Sequence, residues 1–201
     1  MKMVNANGWK FEGLIPAVIQ NAQTIEVLMV GYMNQEAWEK TLDEKVVTFF
    51  SRSKQRLWTK GEESGHYLTL ISYHIDCDED TILIKALPAG PTCHTGERSC
   101  FKTDFNQNFI FELENIIADR FAQSDDTSYV NRLREKGLNK VAQKVGEEGV
   151  ETVIAALAES RDDFLNESSD LLFHLIVLLR AKDVKLSEIA ETLYQRHLKR
   201  G

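Results

Sequence analysis

Lys144-Val-Gly-Glu-Glu-Gly-Val-Glu151, inside the longer run from Asn139 to Glu159, decides how the second half of this chain folds. On a helix turning about 100° per residue, Glu148 falls about 100° from Glu147 and Glu151 about 40° from it. Ile154, Ala155 and Ala158 extend the same arc along the helix. A solvated helical face would normally carry Lys or Arg one turn after each Glu, and this one does not.

The next segment that matters is Glu167-Ser-Ser-Asp-Leu-Leu-Phe-His174. Glu167 and Asp170 sit about 60° apart on one helical face, and His174 follows one turn later. Leu171 to Leu179 is apolar almost all round, which predicts a central, buried helix. Like-charged carboxylates beside such a helix are costly unless a cation holds them. Convergent hard oxygen ligands suit Mg²⁺, usually with a phosphate-bearing substrate. A Glu-Glu-x-x-Glu alone would read as an acidic surface patch; the added Glu-x-x-Asp argues against that. His174 reads as a satisfied core histidine.

Outward from these two segments the chain reads as helix after helix. Phe109 to Phe121 is one helix, and Asp125, Asp126, Thr127 and Ser128 offer a start for another. Gly137 precedes the long acidic helix. Ser160-Arg-Asp-Asp163 resembles a capping box and opens the helix to Arg180, and Ser187 is expected to cap the last one. Short connections between amphipathic helices predict an all-α bundle over residues 109–201.

Residues 1–108 read differently. All three Trp, all three Pro and all three Cys fall there. Ile25 to Met33 reads as a strand, and Asn34 caps a short helix through Trp38. Val46 to Phe50, Tyr67 to Asp76 and Thr81 to Leu87 read as further strands around a polar segment, Ser51 to Gly65. Pro88 to Pro91 forces a turn before Cys93. This half is α+β, and the polar stretch from Phe101 to Asn108 marks the boundary.

At 201 residues the chain suits two domains. Apolar residues are 43% and charged residues 27%, which excludes disordered, collagenous and disulfide-scaffold classes. A net charge of -7, spread over both halves, argues against a nucleic-acid partner. No run is long enough for a membrane span, and Met1 to Gly13 lacks a signal-peptide core, so a cytoplasmic protein is expected.

The three cysteines cluster between Cys77 and Cys100. Without a secretion signal, that points to a metal or to catalysis. In extended backbone, Asp76, Asp78 and Asp80 would share one face and Cys77 the other. The acidic face would suit Mg²⁺. Three thiolates with an open fourth position match catalytic zinc, which in some deaminases activates water against a purine or pyrimidine carbon. Such a site could be completed across a dimer interface.

The acidic motifs of the second half resemble the all-α nucleotide pyrophosphohydrolases, in the branch of phosphoribosyl-ATP pyrophosphohydrolase. That resemblance implies that Glu147, Glu148, Glu151, Glu167 and Asp170 bind Mg²⁺ or serve as base, with Glu148 and Glu151 marked as catalytic. Lys144 and Lys140, one and two turns earlier, are candidates to neutralise phosphate. The first half, through Phe50-Ser-Arg-Ser53, Leu57-Trp-Thr-Lys-Gly-Glu-Glu-Ser-Gly65, His74 to Asp80 and Gly90-Pro-Thr-Cys-His94, resembles phosphoribosyl-AMP cyclohydrolase. It implies Zn²⁺ on Cys77, Cys93 and Cys100, shared between subunits of a homodimer, and Mg²⁺ on Asp76, Asp78 and Asp80. His94 is the candidate proton shuttle, and Arg52, Lys60 and Ser64 are candidate contacts for substrate phosphates and ribose. Together the two resemblances imply a fused enzyme of histidine biosynthesis acting on phosphoribosyl-ATP and then phosphoribosyl-AMP. The rival readings are a nucleotide pyrophosphohydrolase with a zinc-stabilised binding module, and a zinc-stabilised adaptor.

Overall fold

The computed structural model describes residues 9–101, 108–123 and 128–199, and the chain divides into two compact units between Phe109 and Ile110. The stretch at 102–107 and the acidic start signal at 125–127 lie outside the described residues, as do residues 1–8.

The first unit contains strands β1 (Ile15–Asn21), β2 (Val27–Met33), β3 (Thr48–Ser51), β4 (Arg56–Thr59), β5 (Leu68–Ile75) and β6 (Ile82–Pro88), with helix α1 (Gln35–Glu44). One sheet has the order β2-β1-β6-β5, and β3-β4 forms a hairpin. β1 runs antiparallel to β2 and parallel to β6. Burial alternates along β1 and β6, so Ala17, Ile19, Ile82, Ile84 and Ala86 line one face. Trp38 of α1, Met33 and Phe49 close that core. Asn34 caps α1 as expected, its side-chain oxygen accepting from the Ala37 amide at 2.9 Å. A Cβ at Gly31 would lie 2.3 Å from the Phe49 ring, so only glycine lets β2 approach β3 this closely.

Two strands were not anticipated. β1 contains Pro16, which lowers its strand signal. Pro16 pairs only with Tyr32 of β2, and the β6 ladder begins at Ala17, so the missing N–H is not needed on both sides. β4 lies within the polar segment, paired with β3.

The second unit is all-α: α2 (Phe109–Ala122), α3 (Tyr129–Glu135), α4 (Leu138–Ala158), α5 (Arg161–Ala181) and α6 (Leu186–Leu198). Ile117, Val130, Leu133, Val141, Ile176 and Val177 form its core. Gly137 adopts φ 86° at the start of α4, a conformation glycine reaches without strain. The box at Ser160 and Asp163 is present in full.

Two expectations about these helices need correction. Ser187 lies inside α6, which starts after Lys185. Glu188 accepts from the Lys185 amide at 2.9 Å, and Glu114 of α2 accepts from the Leu186 amide at 2.6 Å, so these carboxylates take the capping role. α5 is buried at His174, Ile176 and Val177 but leaves Leu165 45% and Leu172 47% exposed. It is therefore not covered all round.

Candidate active sites

In the helical unit, α4 and α5 pack along each other and bring their acids together. Carboxylate oxygens of Glu148, Glu151 and Glu167 lie within 4.8 Å of one another. Glu147 turns elsewhere: it lies 3.0 Å from Lys144, 3.7 Å from Lys140 and 2.7 Å from Gln143. Asp170 is not part of the close acidic group. Its backbone carbonyl accepts from His174 Nδ1 at 2.9 Å.

Glu148 is buried, and Lys144 Nζ sits 2.6 Å from its Oε1. That hydrogen bond holds the Glu148 carboxyl below the usual range and drives Lys144 upward, with Glu147 adding to the effect on the lysine. Glu151 moves the opposite way: loss of water around it, then the charge of Glu148, raise its pKa. Adjacent carboxyls whose affinities for a proton are pushed apart are characteristic of acid–base sites. His174 has both ring nitrogens partnered. A carbonyl only accepts, so Nδ1 carries the proton, and in the neutral ring Nε2 accepts from the Tyr129 hydroxyl at 2.9 Å. Tyr129 was not foreseen, because nothing local links it to a histidine on α5.

In the sheet unit, Asp76 to Asp80 form the bend between β5 and β6 rather than extended strand. Asp76 Oδ1 accepts from the Asp80 and Thr81 amides, both at 3.1 Å, and Glu79 has φ 64°. The predicted alternation of faces fails because Asp76 closes its own turn. The three carboxylates still converge within 4.8 Å. Partial desolvation of Asp76 works against ionisation, but the Thr81 amide and its other donors outweigh it, and the carboxyl lies below its usual range.

The Pro88–Pro91 turn leads into a loop that carries Cys93 and His94. The Cys93 amide donates to Glu97 at 3.0 Å. At the loop's end Ser99 donates to the Val27 carbonyl at 2.7 Å, and the Cys100 amide to Leu28 at 2.8 Å. Cys100 is thereby returned to β2 and interacts with Cys93. The Thr95 hydroxyl, 3.1 Å from Cys93 Sγ, lowers that thiol's pKa, while burial and the charge of Cys93 raise that of Cys100. Cys77, exposed in the acidic bend, does not join them: among the described residues no three thiols form a close group.

Lys60, Ser64, Cys93 and His94 line one cleft of about 280 Å³. His94 Nδ1 is 3.8 Å from Cys93 Sγ. Trp58, Glu63 and His66 line it too and were not singled out. His66 directly follows the Leu57–Gly65 string, which is the signal that pointed to it. Arg52 lies in a second cleft, of about 360 Å³, with its guanidinium 3.9 Å from the centre of the Tyr32 ring. Trp58 borders both clefts.

The sheet unit thus carries two interacting thiols and an aspartate cluster, and the helical unit a carboxylate cluster. The model of the phosphoribosyl-AMP cyclohydrolase family matches residues 29–102, and that of phosphoribosyl-ATP pyrophosphohydrolase residues 110–197. Relatives called histidine biosynthesis bifunctional protein HisIE align over nearly the whole length. That of Staphylococcus epidermidis is 50% identical over 191 residues, covering 94% of this chain and 90% of the relative. Those of Escherichia coli O157:H7 and Pasteurella multocida are also 50% identical, covering 94% and 96% of this chain and 93% and 98% of the relatives. The chain belongs to this family of bifunctional histidine-biosynthesis proteins.

Proposed function

We propose that this bifunctional hydrolase runs its two reactions at two separate metal sites, one in each unit. The helical unit cleaves phosphoribosyl-ATP to phosphoribosyl-AMP and pyrophosphate, and the sheet unit opens the adenine ring of phosphoribosyl-AMP between N1 and C6. The observation that carries the two-site reading is the convergence of Glu148, Glu151 and Glu167 in one unit and of Asp76, Asp78 and Asp80 in the other.

In the helical unit the three clustered glutamates would hold Mg²⁺, with Glu147 and Asp170 beside them as further candidates. An ion held by them would supply Lewis-acid polarisation of the anhydride phosphate and offset its charge. Lys140 and Lys144 bring ammonium groups to the same end of α4 and take phosphate oxygens. Glu151, which Lys144 does not hold, is the better placed of the catalytic pair to accept a proton from water.

In the sheet unit Cys93, Cys100 and Cys77 would hold Zn²⁺. A zinc ion held by them would supply a water nucleophile near neutral pH. Because Cys77 stands apart from the other two, the ligand set is completed between two subunits of a homodimer. The exposed apolar face of α4, with Val150 60%, Val153 57% and Leu157 83% exposed, offers the helical unit a surface for self-association. Asp76, Asp78 and Asp80 would hold Mg²⁺, which would offset the nucleotide's phosphate charge. His94 carries the proton to the leaving ring nitrogen, and Lys60, Ser64 and Arg52 hold phosphate and ribose. No helix among the described residues is long and apolar enough to cross a membrane. The cytoplasm, which keeps thiols reduced, is the compartment this chemistry fits.

The test is Cys93→Ala. It abolishes ring opening while pyrophosphate release from phosphoribosyl-ATP survives. Loss of both activities in a folded protein would show that the sites are not independent.

A further inference from the structure

Glu148 is the most buried carboxylate of the helical cluster, at 4% exposure. A buried carboxylate needs a partner, because its lost hydration is otherwise uncompensated. Lys144 supplies that partner at 2.6 Å, and the same ammonium reaches Glu147 at 3.0 Å. His174 Nδ1 is 3.6 Å from Glu148 and donates its hydrogen bond to the Asp170 carbonyl at 2.9 Å. Among the described residues Lys144 is the one lysine or arginine within ion-pair distance of Glu148. It engages Oε1 of the carboxylate that also faces Glu151 and Glu167.

An ammonium in contact with Glu148 and a divalent ion on the same carboxylate repel each other at short range in a poorly hydrated setting. Lysine suits a removable counter-charge: its ammonium is a compact point charge on a flexible stem. A polyphosphate offers that ammonium more negative charge than one carboxylate does. We infer that Lys144 is an internal counter-cation that keeps Glu148 closed to a divalent ion until a polyphosphate draws the ammonium away. This rests on Glu148, Glu151 and Glu167 being the Mg²⁺ site. Metal and polyphosphate then bind cooperatively, and by linkage each strengthens the other by the same factor. The free enzyme is spared a tightly held metal that would have to reorganise when substrate arrives.

The experiment is calorimetric titration of the full chain with MgCl₂ and, separately in metal-free buffer, with inorganic pyrophosphate. Glu148→Gln run alongside identifies which part of the Mg²⁺ heat belongs to this site. Lys144→Met should bind Mg²⁺ at least about tenfold more tightly than the unaltered chain and bind pyrophosphate more weakly. A merely structural lesion would weaken both. Lys140→Met makes the same change in net charge one turn away and should shift Mg²⁺ affinity far less. Lys144→Arg keeps the cation and should keep Mg²⁺ binding weak, whatever the folding of the methionine variant. A Glu148-dependent Mg²⁺ heat that is unchanged or weaker in Lys144→Met overturns the counter-cation, and so does an equal gain in Lys140→Met. If no Mg²⁺ heat depends on Glu148, the metal site itself is wrong and the inference falls with it.

Discussion

In the proposed metal site two demands would meet at Glu148: to stay ionised and hold the ion, and to be buried against α5. Lys144 reconciles them in the metal-free chain. Carboxylate repulsion alone would make Glu148→Gln stabilising without metal. The lysine contact reverses that expectation. In chelator, Glu148→Gln should lose about 1 kcal/mol, the scale of a charged hydrogen bond discounted for partial exposure of the lysine. Thermal denaturation in EDTA checks this, and a higher melting temperature than the unaltered chain would mean that repulsion dominates. The residue types were legible: spacing alone put Glu147, Glu148 and Glu151 on one arc. It could not tell that Glu147 would turn to Lys140, Lys144 and Gln143, because rotamers within an arc are decided by which cation lies nearer. Nor could spacing separate Arg52 from Lys60 and Ser64, since the β3-β4 hairpin carries Arg52 to another cleft.

The caps at Asn34 and Ser160 were legible in a few neighbouring residues, whereas the start of α6, strand β1 and the Asp76 bend were not. The capping box at Ser160 and Asp163 is complete within four residues, Ser160 to Asp163. Ser160→Ala should cost about 1 kcal/mol in chemical denaturation. The Ser160 hydroxyl and amide hold the Asp163 carboxyl below its ordinary range. Its stabilisation is therefore complete above the ordinary aspartate value and is lost as pH falls through the lowered one. Asp163→Asn should be less stable than the unaltered chain at neutral pH, and the gap should close in acid; a gap independent of pH would contradict the box. The start of α6 was misplaced because Glu114 accepts from Leu186 across 72 residues of sequence. β1 was missed because Pro16 weakens its pattern, although β2 and β6 both need it as a partner. Gly31→Ala tests the approach of β2 to β3: the added methyl overlaps the Phe49 ring and should cost about 1–3 kcal/mol, read as a lower denaturation midpoint.

At the scale of the whole molecule, the change of composition along the chain already separated an α+β unit from an all-α one. The sequence could not say what covers the apolar residues of α4 and α5. A periodic pattern records that a face is apolar, not whether the same chain buries it. The proposed homodimer would supply partners for both, a cover for that face in the helical unit and the third thiol in the sheet unit. Protein purified without chelator should carry about one zinc per chain and sediment as a dimer, and Cys77→Ser should lower the zinc content. A monomer with full zinc would remove the need for shared ligands. The central claim is that one chain performs two hydrolyses at separate sites. Its most direct measurement gives phosphoribosyl-ATP and phosphoribosyl-AMP, each alone, to Glu148→Gln and to Cys93→Ala. Glu148→Gln should open the ring of phosphoribosyl-AMP at the unaltered rate and leave phosphoribosyl-ATP intact, and Cys93→Ala should do the reverse. Hydrolysis of phosphoribosyl-ATP by Glu148→Gln at the unaltered rate, with the same Mg²⁺ dependence, would contradict it.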